Sequence, residues 1–149
     1  DNLVSQVLKI PFLKRIKLCQ NWHRQAINRF AELSRVKDYA ENEAIIHNGS
    51  FSDSFYVILE GDAFVMIGGK RVAVIHPGGY FGEIGLLQNS NATAKVVAQV
   101  GTRCLSIPRV DFLRFVAHNY SVALELERVS SKRLGRPIFP LSPGNFRQL

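Results

Sequence analysis

Between residues 35 and 108 the apolar residues come in short runs, each closed by a turn signal, and this cadence constrains the fold more than any other feature. Ala44-Ile45-Ile46 ends at His47-Asn48-Gly49-Ser50, and Phe55-Tyr56-Val57-Ile58-Leu59 ends at Glu60-Gly61-Asp62. Ala63 to Ile67 and Arg71 to Ile75 flank Gly68-Gly69, a pair suited to the positive-φ positions of a two-residue hairpin. Pro77-Gly78-Gly79 is another turn, and Ala94 to Ala98 and Arg103 to Ile107 close the series. About eight short strands at this spacing predict a sandwich or jelly roll rather than a helical bundle or alternating β and α units.

Helical periodicity brackets this region. In residues 1 to about 33, Val4, Val7 and Leu8 share one helical face, and Pro11 is expected to break that run. Trp22, Ala26, Ile27, Phe30 and Leu33 then recur at helical spacing, with Asn21 or Gln20 as the N-cap. Beyond Pro108, Asp111 to Val116 starts a helix, and Val122, Leu124, Leu126, Val129 and Leu134 continue the pattern to a stop at Gly135 and Pro137. The expected organisation is a helical segment 1–33, a β-roll 34–108, helices 109–135 and a Pro-rich tail 136–149. The tail is read as irregular, with Phe139 and Phe146 docked on the domain or disordered.

The 149 residues suffice for one domain with a proper core. A start at Asp1 rather than Met, without a signal-peptide pattern, reads as a fragment of a longer chain. No apolar run is long enough to span a membrane. Cys19 and Cys104 form neither a disulfide framework nor a metal spacing, which fits reduced thiols in a cytosolic setting. The net charge of +7 invites a nucleic-acid reading. The basic residues are scattered over the flanking helices, however, and read better as solvated faces or contacts with neighbouring domains. Membrane contact would come only through a parent channel or transporter, by attraction to acidic headgroups. His47 and His76 sit by turns with no acidic or cysteine partner at ligand spacing, so no metal and no cofactor is expected. No nucleophile–base constellation or carboxylate pair is placed for catalysis, so no enzyme is expected.

Segment 80–96 carries the chemistry. Tyr80-Phe81 ends a strand, Gly82 and Glu83 open one apolar helical turn through Leu87, and a polar loop leads into the next strand. A helix start offers unpaired N–H groups and the positive end of a dipole, so Gly82, Ile84 and Gly85 could present backbone N–H groups to an anion. Gly82 also lets the backbone approach a ligand or take positive φ. Glu83 adds an acceptor that could read a ribose hydroxyl. Its alternative is a charge favoured by the helix dipole, worth about 0.3–1 kcal/mol. No Arg or Lys lies between Glu83 and Lys95, so the segment lacks a guanidinium fork for phosphate.

Phe81-Gly82-Glu83-Ile84-Gly85-Leu86-Leu87, followed by Thr93, Ala94 and Val96, resembles the phosphate-binding cassette of the cyclic nucleotide-binding domain family. The members most similar are protein kinase A regulatory subunits and cyclic nucleotide-regulated channels. The resemblance covers about residues 10 to 134, and Gly49, Gly61 and Gly79 fall on the family's turn glycines. It implies a mainly β fold with flanking helices: an eight-stranded jelly roll, N-terminal helices, a short cassette helix and C-terminal lid helices. It also implies that Glu83 accepts a hydrogen bond from a ribose 2′-hydroxyl, that Thr93 meets the phosphate, and that Val65 and Ala73 pack the purine. Simple core packing is the alternative for Val65 and Ala73, and an ordinary strand start for Thr93. Val129 and Ser130 fall on the lid helix, where neither supplies an aromatic platform.

The family's phosphate-clamping arginine falls on Ala92. A charge-assisted bond from arginine is worth about 1.5–3 kcal/mol, tenfold or more in affinity. Its loss argues against tight cyclic-nucleotide binding and admits a ligand without phosphate charge, such as a nucleoside. Strand alternation from Ala92 would turn Lys95 to the opposite face, away from any rescue. The expected function is a regulatory domain sensing a purine nucleotide or nucleoside and relaying lid movement to an attached effector, a kinase or a channel. The alternative is a binding-incompetent scaffold, its pocket empty or filled by Ile138, Phe139, Leu141 and Phe146 of its own tail. Recognition of a specific DNA site would need a helix-turn-helix after the lid, where only the Pro-rich tail follows.

Overall fold

The computed structural model describes residues 2–136, with side chains from residue 7 onward. The expectations for Val4 and for the tail lie outside the described residues or side chains. The strands are β1 (Arg35–Tyr39), β2 (Ala44–Ile46), β3 (Ser54–Glu60), β4 (Ala63–Ile67), β5 (Lys70–Ile75), β6 (Tyr80–Phe81), β7 (Lys95–Ala98) and β8 (Thr102–Pro108). They form two four-stranded antiparallel sheets, ordered β1-β8-β3-β6 and β2-β7-β4-β5. The helices are α1 (Asn2–Arg15), α2 (Arg24–Leu33), α3 (Glu83–Leu87), α4 (Arg109–Ala117) and α5 (Tyr120–Leu134). The mainly β sandwich with flanking helices is thus the expected architecture.

Two apolar clusters follow from strand alternation. Phe55 and Val57 of β3, with Leu105 and Ile107 of β8, face the helices and meet Phe30, Phe112, Phe115 and Leu126. Tyr56 and Ile58 of β3, with Cys104 of β8, point the other way and meet Ile45, Ala63, Val96 and Ala98 between the sheets. The middle of β3 is therefore buried on both faces, which explains its unbroken apolar run. Phe112 stacks on Phe55 with ring centroids 4.5 Å apart, fixing α4 against β3. Cys19 and Cys104 are free and buried, and burial pushes both thiols up to about 12.

The amino-terminal expectations need correction. Pro11 does not break the helix: α1 runs through it, because the ring's fixed φ is helical and the lost hydrogen bond is local. Val7 and Leu8 are exposed, whereas Lys9 is buried and its Nζ donates to Ala31 O at 3.1 Å and Ser34 O at 2.6 Å. These carbonyls sit at the end of α2, where unpaired acceptors and the negative dipole end favour a cation. Burial lowers the Lys9 pKa below the usual lysine value. Helix α2 starts at Arg24 after His23, not after Asn21 or Gln20. Trp22 lies just before that start, its ring centroid 5.4 Å from those of both Phe30 and Phe115. At the other end, Gly135 takes φ 81° and closes α5 with an N–H bond to Ser131 O.

Candidate ligand-binding site

The cassette is the crossover between the sheets: β6 pairs with β3 in the first sheet, and β7 lies in the second. Gly82 turns the chain from β6 into α3 with φ 94°, and a Cβ there would lie 2.8 Å from Ser54 O. The glycine is needed for the turn whether or not a ligand approaches. Gly85 leaves room for Ser52, whose Oγ would be 1.9 Å from an added Cβ. Leu86 anchors α3 in the helix-side core.

The loop after α3 is tied down from outside the segment. Ser52 Oγ donates to Ser90 O at 3.3 Å, and Arg109 donates from Nη1 to Ser52 O at 3.1 Å and from Nη2 to Asn89 Oδ1 at 2.6 Å. Arg109 also lies 4.7 Å from the Phe51 ring centroid. Both backbone groups of Ala92 are paired, its N–H with Ser50 O and its carbonyl with Gly49 N–H.

A cavity of about 820 Å³ lies between the cassette and the second sheet. Gly82, Glu83, Ile84, Gly85, Ala92, Thr93 and Val65 all line it. Ala73 pairs with Val65 across β4 and β5 but is exposed and lies outside the lining. Ile46, Ile75, Phe81 and Val96 complete the apolar side. Lys95 is exposed and outside the lining. Residues 92 to 94 precede β7 as an irregular bend, so strand alternation applies only from Lys95 onward.

Glu83 is the buried charge of this wall, only 2 % exposed. Ser130 Oγ, itself fully buried, donates to Glu83 Oε2, and Tyr80 Oη lies 3.3 Å from the same Ser130 oxygen. Arg133 Nη1 is 3.8 Å from Oε2 and donates to Tyr80 O at 3.2 Å, while its guanidinium lies 4.8 Å from the Tyr80 ring centroid. Burial pushes the Glu83 carboxyl above the usual carboxylate range. The Ser130 bond, the Arg133 charge and backbone hydrogen bonds at Glu83 and Ile84 pull against that rise.

The sequence placed Ser130 on the lid helix but not against Glu83, 47 positions away. Arg133 and Arg136 join the lining from the end of α5, bringing cationic groups that a scan within the cassette misses. The signal that could have found Arg133 is its place one turn after Ser130, which puts both on one helix face. Nothing local marks Arg109. Val129 packs against the helix-side core instead of covering the cavity. His76, expected to lack an acidic partner, has one: its Nδ1 lies 3.0 Å from Asp62 Oδ1 across the hairpin. No group of three metal-ligating side chains occurs among the described residues.

Residues 36–119 match the Cyclic nucleotide-binding domain family, more than half of the chain, and the chain belongs to that family. The cGMP-dependent protein kinase of Plasmodium berghei is 33% identical over 89 residues, 60% of this chain and 10% of the kinase. The cAMP-dependent protein kinase regulatory subunit of Dictyostelium discoideum is 28% identical over 111 residues, 69% of this chain and 34% of that protein. The chain thus spans a minor part of the curated relatives it matches. Its fold is similar to that of the regulatory domain of Toxoplasma gondii PKA with cAMP, at TM-score 0.79 and 23% identity over 87% of this chain and 51% of that one. The match and the fold together define a domain of the cyclic nucleotide-binding type. No helix among the described residues is long and apolar enough to cross a membrane.

Proposed function

We propose that this domain senses a purine nucleotide or nucleoside in the cavity beneath the cassette, and that occupation of the cavity moves α5 and relays the change to an effector. The effector is a kinase or channel domain, attached or associated, and the domain works on the cytosolic side of its cell. The observation carrying this reading is Glu83, a buried carboxylate on the wall of an otherwise largely apolar cavity, in the family's ribose-reading position. Ser130 and the backbone at Glu83 and Ile84 use part of its acceptor capacity, and a carboxylate with about four acceptor sites on a cavity wall can take a ligand hydroxyl as well. Ligand binding shifts the equilibrium only as far as the ligand prefers one arrangement of α5 over the other.

Ala92 sets the ligand class within this reading. It places a methyl group on the cavity wall in the family's arginine position, so within the cassette the sugar and base carry more of the recognition than the phosphate does, the cations of the lining, Arg133 and Arg136, coming from the end of α5. The test is calorimetric titration of the folded domain with cAMP, cGMP, adenosine, inosine and guanosine, with Glu83→Ala as control. Binding of one or more of these ligands that disappears in Glu83→Ala is the expected result. Ala92→Arg should then tighten cAMP or cGMP about ten- to hundredfold while leaving nucleosides nearly unchanged. Silence of the unmodified protein and of Ala92→Arg across the panel would sink the sensor and leave a scaffold as the better account.

A further inference from the structure

Gly85 stands on the cavity wall without a side chain, and the space beside it is taken by Ser52, a residue from outside the cassette. Ser52 lines the same cavity, its Oγ in the place that any side chain at position 85 would fill. The segment carrying it is fixed along its length. Gly49 N–H donates to Ala92 O, Ala92 N–H donates to Ser50 O, and Phe51 bridges to Asn91. Arg109 donates from Nη1 to the Ser52 carbonyl and lies over the Phe51 ring. Ser52 Oγ itself donates to Ser90 O at 3.3 Å. A positioned, uncharged hydroxyl thus sits on the stretch paired with residues 90–92, next to the wall where Ala92 leaves no cation.

We propose that Ser52 selects the ligand: its hydroxyl accepts a sugar O–H at the end of the cavity marked by Ala92, favouring a nucleoside over a cyclic nucleotide. This inference rests on the ligand reading of the cavity and names the ligand class and the residue that chooses it. A serine hydroxyl has one proton and two lone pairs. Ser52 can therefore keep its bond to Ser90 O and still accept the C3′ or C5′ hydroxyl of a nucleoside. In a cyclic nucleotide both of those oxygens are tied into the phosphate and carry no proton, so the ligand offers only acceptors there. To meet them Ser52 must turn its single proton away from Ser90 O, and it brings no charge in exchange. Ser52 and Ala92 act in the same direction, one supplying an acceptor and the other withholding a cation. Because the segment is already held by Arg109 and by the pairing with Ala92, little ordering is left to be done when the ligand arrives.

The test titrates the unmodified chain and Ser52→Ala calorimetrically with adenosine, inosine, guanosine, cAMP and cGMP. The 3′-deoxy and 5′-deoxy forms of the tightest nucleoside are then added to the panel. Ser52→Ala should weaken the nucleosides about two- to tenfold, the scale of a neutral hydrogen bond, and should not weaken the cyclic nucleotides. One of the deoxy forms should bind the unmodified chain more weakly by a similar factor and be insensitive to Ser52→Ala, since the pair acts as one bond. Equal loss for both ligand classes, no loss for the nucleosides, or a loss kept in full by both deoxy forms overturns the role of Ser52 while leaving the ligand reading intact. Tighter binding of the cyclic nucleotides than of the nucleosides by the unmodified chain does the same. If Ser52→Ala fails to fold, the unmodified chain still decides: a nucleoside that binds no tighter than either of its deoxy forms overturns the inference. Failure of both proteins to bind anything in the panel overturns the ligand reading and the role of Ser52 together.

Discussion

Glu83 combines a stability cost with the recognition role proposed for it. Its folded pKa lies above the ordinary carboxylate value because burial penalises the charge more than Ser130, Arg133 and the backbone relieve it. Between the unfolded and folded pKa values the native state holds more protons than the unfolded chain. The Glu83 contribution to stability is therefore fully present below the unfolded value and is lost as pH rises through the folded one. Glu83→Gln keeps an acceptor for Ser130 without the charge. The melting temperature of Glu83→Gln should exceed that of the unmodified protein at pH 7, and the gap should close as pH falls toward 4. Thermal unfolding of both proteins across that range checks the sign. A gap that widens on acidification would contradict it.

At the scale of elements, the cassette is held as much from outside as from within. Helix α3 has five residues, too few to stand alone, and depends on Leu86 in the core and on the loop that follows it. That loop is fastened by Arg109 at the start of α4, through Ser52, Asn89 and the face of Phe51. Arg109→Ala should lower stability by about 1–2 kcal/mol, the scale of charge-assisted bonds at a partly exposed site. It should also speed amide exchange at residues 88–91, while exchange at the centre of β3 tracks only the global loss. Unchanged exchange in the loop would mean that Ser52 and the pairing of Ala92 suffice to hold it. Because Arg109 begins α4, the same contact ties the cassette to the helix that leads into α5.

On the scale of the molecule, β3 and β8 are the partition between two apolar compartments, one under the helices and one between the sheets. The helix-side compartment holds most of the buried aromatic rings, and Phe112 is its contact between α4 and β3. Phe112→Ala should cost about 3–5 kcal/mol, the range for a fully buried phenylalanine, read as a lower urea midpoint. Val65→Ala, on a half-buried side chain at the cavity wall, should cost clearly less. If the two substitutions cost the same, the cavity wall would be as tightly packed as the core, leaving less room for a ligand.

The sequence by itself determined what short-range physics encodes. The hairpin at Gly68-Gly69, the stop at Gly135, the αL turn at Gly82 and the apolar run of β3 were legible because φ preference and side-chain period act within a few residues. The family resemblance singled out Glu83 and Ala92, both on the cavity wall, for the same reason, since the motif spans one short segment. Misreadings arose where tertiary packing outweighed a local signal. Pro11 stayed inside α1, α2 began at Arg24 after His23 rather than after Asn21, and Lys9 was buried where carbonyls at the end of α2 could use it. Only the tertiary structure decided that Ser130 and Arg133 meet Glu83, that Arg109 holds Asn89, and that Ala73 stays outside the cavity. Those pairings join residues far apart along the chain. They depend on how helices dock on a twisted sandwich, a geometry that no periodicity in the residues spells out.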